Sequence, residues 1–399
     1  MELSYFRIRK FIWRWTKEDG ARLMRDVSLS LDRPPPLLEE PEPPRAPIPK
    51  QPRPKPRAGD GLLQMMEMYE RFQTWLETPD PPKPPKPAKP VKDKNAVPPF
   101  DIQDIPAAMR KTHLPMSAAL MERWFAGRLN YSPTTDDERA EINQDGKRYP
   151  PDMYDTKTIK LDWVLRFPRA KEKYDYLFNE AIRSDAANVE LRKILRQYKG
   201  EVTTLNTEDA CEGDIVKLHR HFQFQREVVD GTFGQKIMTA LKTSEDCFAP
   251  DDLSGALGAF VFYAAIGYVS FKWSVDSRRQ EAEVHGIWVY VKDNFTFTDR
   301  HGDRSQYLGH WSRDGVIVVP YDYVAATSRY IPHVKSSVTV PYVNAPVSIG
   351  DPVIKGNVYH PIHNSDFRQW AIKHRRGGDF IVYSDRRYIP IYPPIKVAL

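Results

Sequence analysis

Between Asp293 and His310 the chain gathers Asp293, Asp299, His301, Asp303, Arg304 and His310, crowded by Phe295, Phe297, Tyr307 and Trp311. Carboxylates, imidazoles and a guanidinium delivered together into a loop are the materials of acid–base chemistry on a charged substrate. A second arrangement is the His219-x-His221 pair in DIVKLHRHFQFQ. Its alternation with Leu218, Arg220 and Phe222 predicts a strand carrying both imidazoles on one face, which is half of a zinc or iron site. His285, His301, His310, His360 and His363 are the candidates for a third ligand, and no spacing singles one out. The competing expectation is a polar strand face on which histidine and glutamine bond to each other.

Positioning the first group falls to the stretch before it. From Gly255 to Phe271 no side chain is charged, and aromatic, β-branched and small residues dominate, as expected of a strand buried on both faces. Val284 to Val291 is of the same kind. The uncharged stretch is short for a spanning helix and contains Gly258 and Gly267, so a buried strand is the expectation, with a membrane-inserting hairpin as the alternative. The later segments VIVVPYDYV, SSVTVPYV, FIVYSD, YIPIYPP and IKVAL also read as strands. One helix interrupts them, SDFRQWAIKHRR, with Asn364 or Ser365 as its cap and Gly377 as its stop. Gly377-Gly378-Asp379-Phe380 spells part of a diguanylate cyclase signature but lacks its second acidic residue. It reads as a helix stop with Asp379 leading into a strand.

Upstream, more than half of the 36 prolines fall before residue 100. Residues 33–60 and 79–100 are proline-rich linkers, extended and unable to join a core, the second enriched in lysine. Between them, 61–78 has the period of an amphipathic helix, which we expect to dock on a secretion-apparatus protein or chaperone. Residues 1–32 are basic and aromatic. They could form a basic amphipathic helix, a short docking element is the preferred reading, and no cleavable Sec signal is expected, because arginine and lysine interrupt the apolar residues. A helical region is expected over 101–212. It holds a helix capped by Ser117 and stopped at Gly127, then a helical hairpin of Arg169 to Ile182 and a partner capped by Ser184. A β-rich effector domain follows over 213–399. The predicted class is α+β, with N-terminal helices, an antiparallel barrel-like or sandwich-like sheet, one C-terminal helix and disordered proline-rich arms.

A net charge of +6 would suit an anionic partner, but much of the excess lies in the Lys/Pro segments. No zinc-finger, RNA-binding or basic-heptad pattern accompanies it, which argues against nucleic acid. Cys211 and Cys247 are too few for a disulfide scaffold and read as free thiols.

The runs IPAAMRKTHLPMSAALMERWFAG, LHRHFQFQ, VYVKDNFTFTDRHGDRSQYLGHW and NSDFRQWAIKHRRGGDFIVYSD together resemble a proteobacterial family associated with type VI secretion and polymorphic-toxin loci, over about residues 102–399. A remoter similarity is to colicin M-like bacteriocins, which hydrolyse the lipid-linked peptidoglycan precursor with a D-x-Y-D segment followed by His and Arg. In this chain Asp293 matches the first aspartate, Phe295 stands at the tyrosine and Thr296 at the second aspartate, while His301 and Arg304 stand apart where that family has them adjacent. The resemblance implies that Asp293 or Asp303 holds a divalent cation or orients water, that His301 is the base and that Arg304 neutralises the pyrophosphate. It further implies a protein made in the bacterial cytoplasm, secreted, acting in the envelope or periplasm of a target cell on a membrane or lipid-linked substrate, and opposed by an immunity protein. A membrane-permeabilising toxin and a non-enzymatic adaptor of the secretion machine remain the alternatives.

Overall fold

A computed structural model describes residues 5–7, 20–23, 29–37, 69, 100–230, 251–274, 279–299, 305–317, 347–349 and 357–399. The chain divides into a unit of Met1–Leu38 with Val97–Leu399 and a unit of Glu39–Ala96. Of the second unit only Tyr69 is described, in helical conformation, so the expected docking helix and both proline-rich linkers lie essentially outside the described residues.

The centre of the first unit is a long antiparallel hairpin of β6 (Phe260–Ser274) and β7 (Arg279–Phe295). The uncharged run thus becomes a strand as expected, but only from Phe260. Gly255 lies in the short helix α9 (Asp252–Leu257), capped by Asp251. Strands β4 (Thr204–Asn206) and β5 (Gln223–Val229) both pair with β6, while β12 (Phe380–Tyr383) and β13 (Arg387–Ala398) both pair with β7. A parallel partner, β3 (Tyr154–Asp155), completes this sheet beside β12. A second sheet has the order β1 (Tyr5–Arg7), β2 (Gly20–Leu23), β10 (Val347–Ile349), β11 (Asn357–His363), β8 (Tyr307–Ser312) and β9 (Gly315–Ile317). With its helices the fold is α+β, as predicted. Tyr5–Arg7 forms a strand, not the amphipathic helix weighed for the N-terminal segment. Most of VIVVPYDYV and all of SSVTVPYV lie outside the described residues.

Helices α1 (Ile105–Lys111) and α2 (Pro115–Ala126) bury Trp124 and Phe125. Ser117 is not the cap of α2 but a residue of its first turn. The carboxylate of Asp252 accepts from Met116 N (3.0 Å), Ser117 N (2.9 Å) and Ser117 Oγ (2.8 Å), a cap supplied from far along the chain. After α3 (Thr135–Ala140) and α4 (Leu161–Val164) come α5 (Pro168–Asn179) and α6 (Asp185–Leu195). Ser184 caps α6 as expected, its Oγ accepting from Ala187 N at 3.2 Å. Both α5 and α6 rest on β5. The short α7 (Thr207–Ala210) precedes α8 (Ile215–Phe222), and α10 (Asn364–His374) follows β11. The cap of α10 is His363, one residue earlier than expected, with His363 N donating to Asp366 Oδ2 at 2.7 Å. Helical and sheet residues share one hydrophobic core from Phe100 to Leu399.

The segment 29–37 straps onto this unit beside the start of the core. Ser30 N donates to Phe100 O (2.9 Å), Ile102 N to Ser30 O (3.0 Å) and Gln103 Nε2 to Arg33 O (2.7 Å), while Arg33 pairs with Asp104. The points at which the chain leaves toward and returns from the proline-rich stretch are therefore neighbours.

Candidate functional site

The expected loop is only partly assembled. Asp293 is held in β7 opposite Val382. Phe295, which the sequence resemblance sets against a tyrosine, stacks on Phe380 with ring centroids 5.1 Å apart and meets Phe297 edge-on. Thr296 Oγ1 donates to Glu138 at 3.2 Å. Asp299 Oδ1 accepts from Gln306 N (3.1 Å) and Asn364 Nδ2 (3.0 Å), which seats the loop's roots on the start of α10. His301, Asp303 and Arg304 lie outside the described residues. His310 is buried, its Nδ1 2.5 Å from Tyr307 Oη.

The His219/His221 pair is corrected. Asp214 caps α8 by accepting from Val216 N at 2.7 Å, and Leu218 and Phe222, four apart, become its buried stripe. A capped turn with an i, i+4 apolar pair overrides the period-two pattern, and two residues apart on a helix diverge by about 200°. His219 accordingly points inward and His221 outward. Among the described residues no group of three His, Cys, Asp or Glu could hold a metal ion.

Where His219 points, a different constellation converges. On one face of the sheet Tyr263 lies opposite Tyr290, and Tyr383 opposite Lys292. The His219 ring sits 4.7, 5.9 and 5.8 Å from those of Tyr263, Tyr290 and Tyr383, and its Nδ1 is 3.0 Å from Tyr290 Oη. Beside them Glu141 Oε2 binds Arg220 and accepts from Tyr154 Oη at 2.8 Å, while Glu141 Oε1 accepts from Lys292 Nζ at 3.4 Å. Glu141 follows α3 in the left-handed region (φ 56°), where asparagine or glycine is the usual choice. The chain places a glutamate there, and its carboxylate reaches both cations. The Glu141 side chain is 9% exposed, Lys292 18% and Arg220 34%, so the cluster meets solvent through the guanidinium.

Burial shapes the charges. It would raise the Glu141 carboxyl, but hydrogen bonds from Arg220 and Tyr154 and the charge of Lys292 hold it below the usual carboxylate range. Desolvation lowers the Lys292 ammonium against the pull of Glu141. Desolvation, helped by Lys292, pushes His219 down to about 3, so it is neutral at physiological pH. Tyr383 is raised by burial, and its hydroxyl has no hydrogen-bond partner among the described residues. A depressed lysine, an ionised glutamate and an unpaired hydroxyl at one strand end are the kind of environment that binding and catalytic sites use.

A nearby carboxylate, Asp379, is spent structurally. It accepts from Trp124 Nε1 (2.8 Å) and Arg368 (2.6 Å), and Gly377 and Gly378 let its strand cross close to Gly127. A Cβ on Gly378 would stand 2.9 Å from Arg128 O. The helix stop expected at Gly377 falls instead on Arg375, which caps α10 in the left-handed region (φ 51°), and the glycine pair is the close crossing that leads into β12.

Sequence reasoning passed over Glu141, Tyr154, Arg220, Lys292 and Tyr383. One signal was available: Lys292 is the first charge after the apolar run that ends at Val291.

A family model, DUF6402, a family of unknown function, matches residues 100–399. The chain belongs to this family. The DUF6402 region contains every residue of the Glu141 cluster and begins where the strap 29–37 docks. No curated protein and no solved structure matches the chain.

Proposed function

We propose that this DUF6402 protein is a secreted antibacterial effector, associated with type VI secretion and acting in the envelope of a target cell as a hydrolase of phosphodiester or pyrophosphate linkages. The observation that carries the reading is the Glu141 cluster, where an ionised carboxylate and a desolvated lysine meet at a solvent-reaching strand end. The sequence resemblance supplies the envelope and the lipid-linked precursor as the concrete target. In this reading Glu141, once its cations engage substrate, is the base that takes a proton from water, and His219 stays neutral and orients Tyr290. Phe295 and Thr296, both used in packing and hydrogen bonding, favour this cluster over the Asp293 motif as the seat of the chemistry.

The test is growth of a bacterial host producing the full chain, either in the cytoplasm or with an added periplasmic signal, as wild type, Glu141→Gln and Asp293→Ala. The expected result is lysis only from the periplasm, abolished by Glu141→Gln and retained by Asp293→Ala. Lysis that survives Glu141→Gln would overturn the assignment, and growth unaffected from either compartment would overturn the effector reading.

One observation favours a second reading, a non-enzymatic adaptor of the secretion machine. The strap roots both ends of the proline-rich stretch at one place on the folded unit, as a docking loop requires. Under that reading, replacing residues 38–97 by a short glycine–serine linker abolishes delivery, and the protein placed directly in the periplasm is harmless with or without the loop. For a membrane-permeabilising hairpin the observations are less favourable, because β6 and β7 already have sheet partners on their outer edges.

A further inference from the structure

We propose that Lys292, Arg220 and Tyr383 form a binding site for the oxyanions of a phosphate or pyrophosphate group. This rests on the functional reading above and names the ligand chemistry of the same site.

The first argument is a surplus of donors. Glu141 is the acceptor at the centre of the cluster, and both its oxygens are engaged, Oε2 by Arg220 and Tyr154 and Oε1 by Lys292. Lys292 carries three N–H groups and, among the described residues, makes one hydrogen bond, at 3.4 Å, to Glu141. Arg220 carries five and directs NH2 at Glu141 and at Tyr154 Oη (2.8 Å), leaving its exposed edge toward solvent. A cluster rich in donors and short of acceptors is completed by a ligand that only accepts.

The second argument is Tyr383. Its side chain is fully buried opposite Lys292 in the sheet, and its hydroxyl has no partner among the described residues. Buried hydroxyls are almost always paired, so an orphan beside two cations points to a group that arrives with the ligand. Lys292 Nζ lies 6.0 Å from the centroid of the Tyr383 ring, which puts ammonium and phenol on one small region. A guanidinium fork, an ammonium and a hydroxyl suit a tetrahedral oxyanion with several lone pairs. Burial keeps the phenol protonated as a donor. An anion beside Lys292 would also offset the desolvation that lowers its ammonium, so binding should weaken as pH rises and the lysine loses its proton.

The test uses the full-length protein and two probes, inorganic pyrophosphate by calorimetry and phosphatidylglycerol vesicles by co-sedimentation. The expected result is that wild type binds at least one of them. Tyr383→Phe should weaken that binding about tenfold, the loss of one hydrogen bond to a charged group, without lowering the melting temperature. Lys292→Gln should weaken it further, and Lys396→Gln, on an exposed strand position, should leave it unchanged. Tyr383-dependent binding of pyrophosphate alone identifies a soluble phosphate source, and Tyr383-dependent binding of vesicles identifies a lipid headgroup. Binding of neither probe, or binding that Tyr383→Phe leaves intact, would overturn the site. Loss of the effector reading would show separately, as normal growth of cells producing a protein that still binds the probe.

Discussion

Two buried ion-pair centres in this chain use the same side-chain chemistry in opposite balance. At the first, Arg169 at the start of α5 lies between two aspartates. Its Nε donates to Asp230 Oδ2 (2.7 Å), and its terminal nitrogens donate to Asp251 (2.5 and 2.8 Å) and Ser254 Oγ (3.0 Å). Asp230 follows β5 and Asp251 caps α9, so one guanidinium fixes the end of a strand to the start of a helix. At the second, Glu141 lies between two cations, and the Tyr383 hydroxyl has no hydrogen-bond partner among the described residues. The Arg169 centre is complete without anything added, which is what a structural clamp needs. The Glu141 centre has more donors than acceptors among the described residues, and the proposed oxyanion would supply the missing acceptor.

The largest expected effect tests the clamp. Arg169→Met removes the guanidinium that Asp230 and Asp251 share, and denaturant unfolding should show a loss of about 3–5 kcal/mol, as for one partner removed from a buried pair. A loss below about 1 kcal/mol would erase the distinction between the centres. Glu141→Gln should be milder, about 1–3 kcal/mol, because Arg220 is partly solvated and Lys292 can shed its proton. A loss equal to that of Arg169→Met would make the Glu141 cluster a clamp too.

Acid sharpens the comparison through two histidines that burial depresses, His219 to about 3 and His360 to about 4. His219 has Tyr290 as a partner, whereas His360 is stacked on Phe100 at 5.4 Å with neither ring nitrogen bonded among the described residues. Both folded values lie below that of the unfolded chain, about 6.5, so the unfolded chain binds protons first. Their contribution to stability is therefore intact above about pH 6.5 and is lost as pH falls toward 4 for His360 and 3 for His219. Melting temperature followed from pH 7.5 to 4 should fall, and His360→Phe should flatten that fall. An unchanged slope would show that other groups control acid unfolding. Smallest of all, Tyr383→Phe should shift unfolding free energy by less than about 0.5 kcal/mol, since no bond within the described residues is lost. A larger loss would mean that the hydroxyl is structural.

The fold was legible where local signals agreed. The uncharged run around Phe262 read as a buried strand, with a membrane hairpin as the alternative, and formed a strand, and Ser184 stood before a clean helical stripe. It was illegible where a distant residue decided the outcome, as when Asp252 supplies the cap of α2. The His219-x-His221 reading failed because alternation was weighed above the Asp214 cap and the Leu218/Phe222 spacing. The Glu141 cluster could not be read in one dimension, because Glu141, Tyr154, Arg220, Lys292 and Tyr383 come from five separate segments, one at the end of a helix, one within a helix and three in strands, that only the tertiary fold brings together. The motif loop showed the opposite behaviour: its letters were conspicuous in sequence, while Phe295 and Thr296 proved to be committed to packing and to Glu138.

The most direct measurement is periplasmic production of full-length Lys292→Met beside wild type, with the melting temperature of each purified protein. Methionine keeps the stem packed and leaves Glu141 paired with Arg220, so the account predicts a folded protein that no longer inhibits growth. Inhibition equal to wild type from a folded Lys292→Met protein would contradict it and leave the Glu141 cluster as a second clamp.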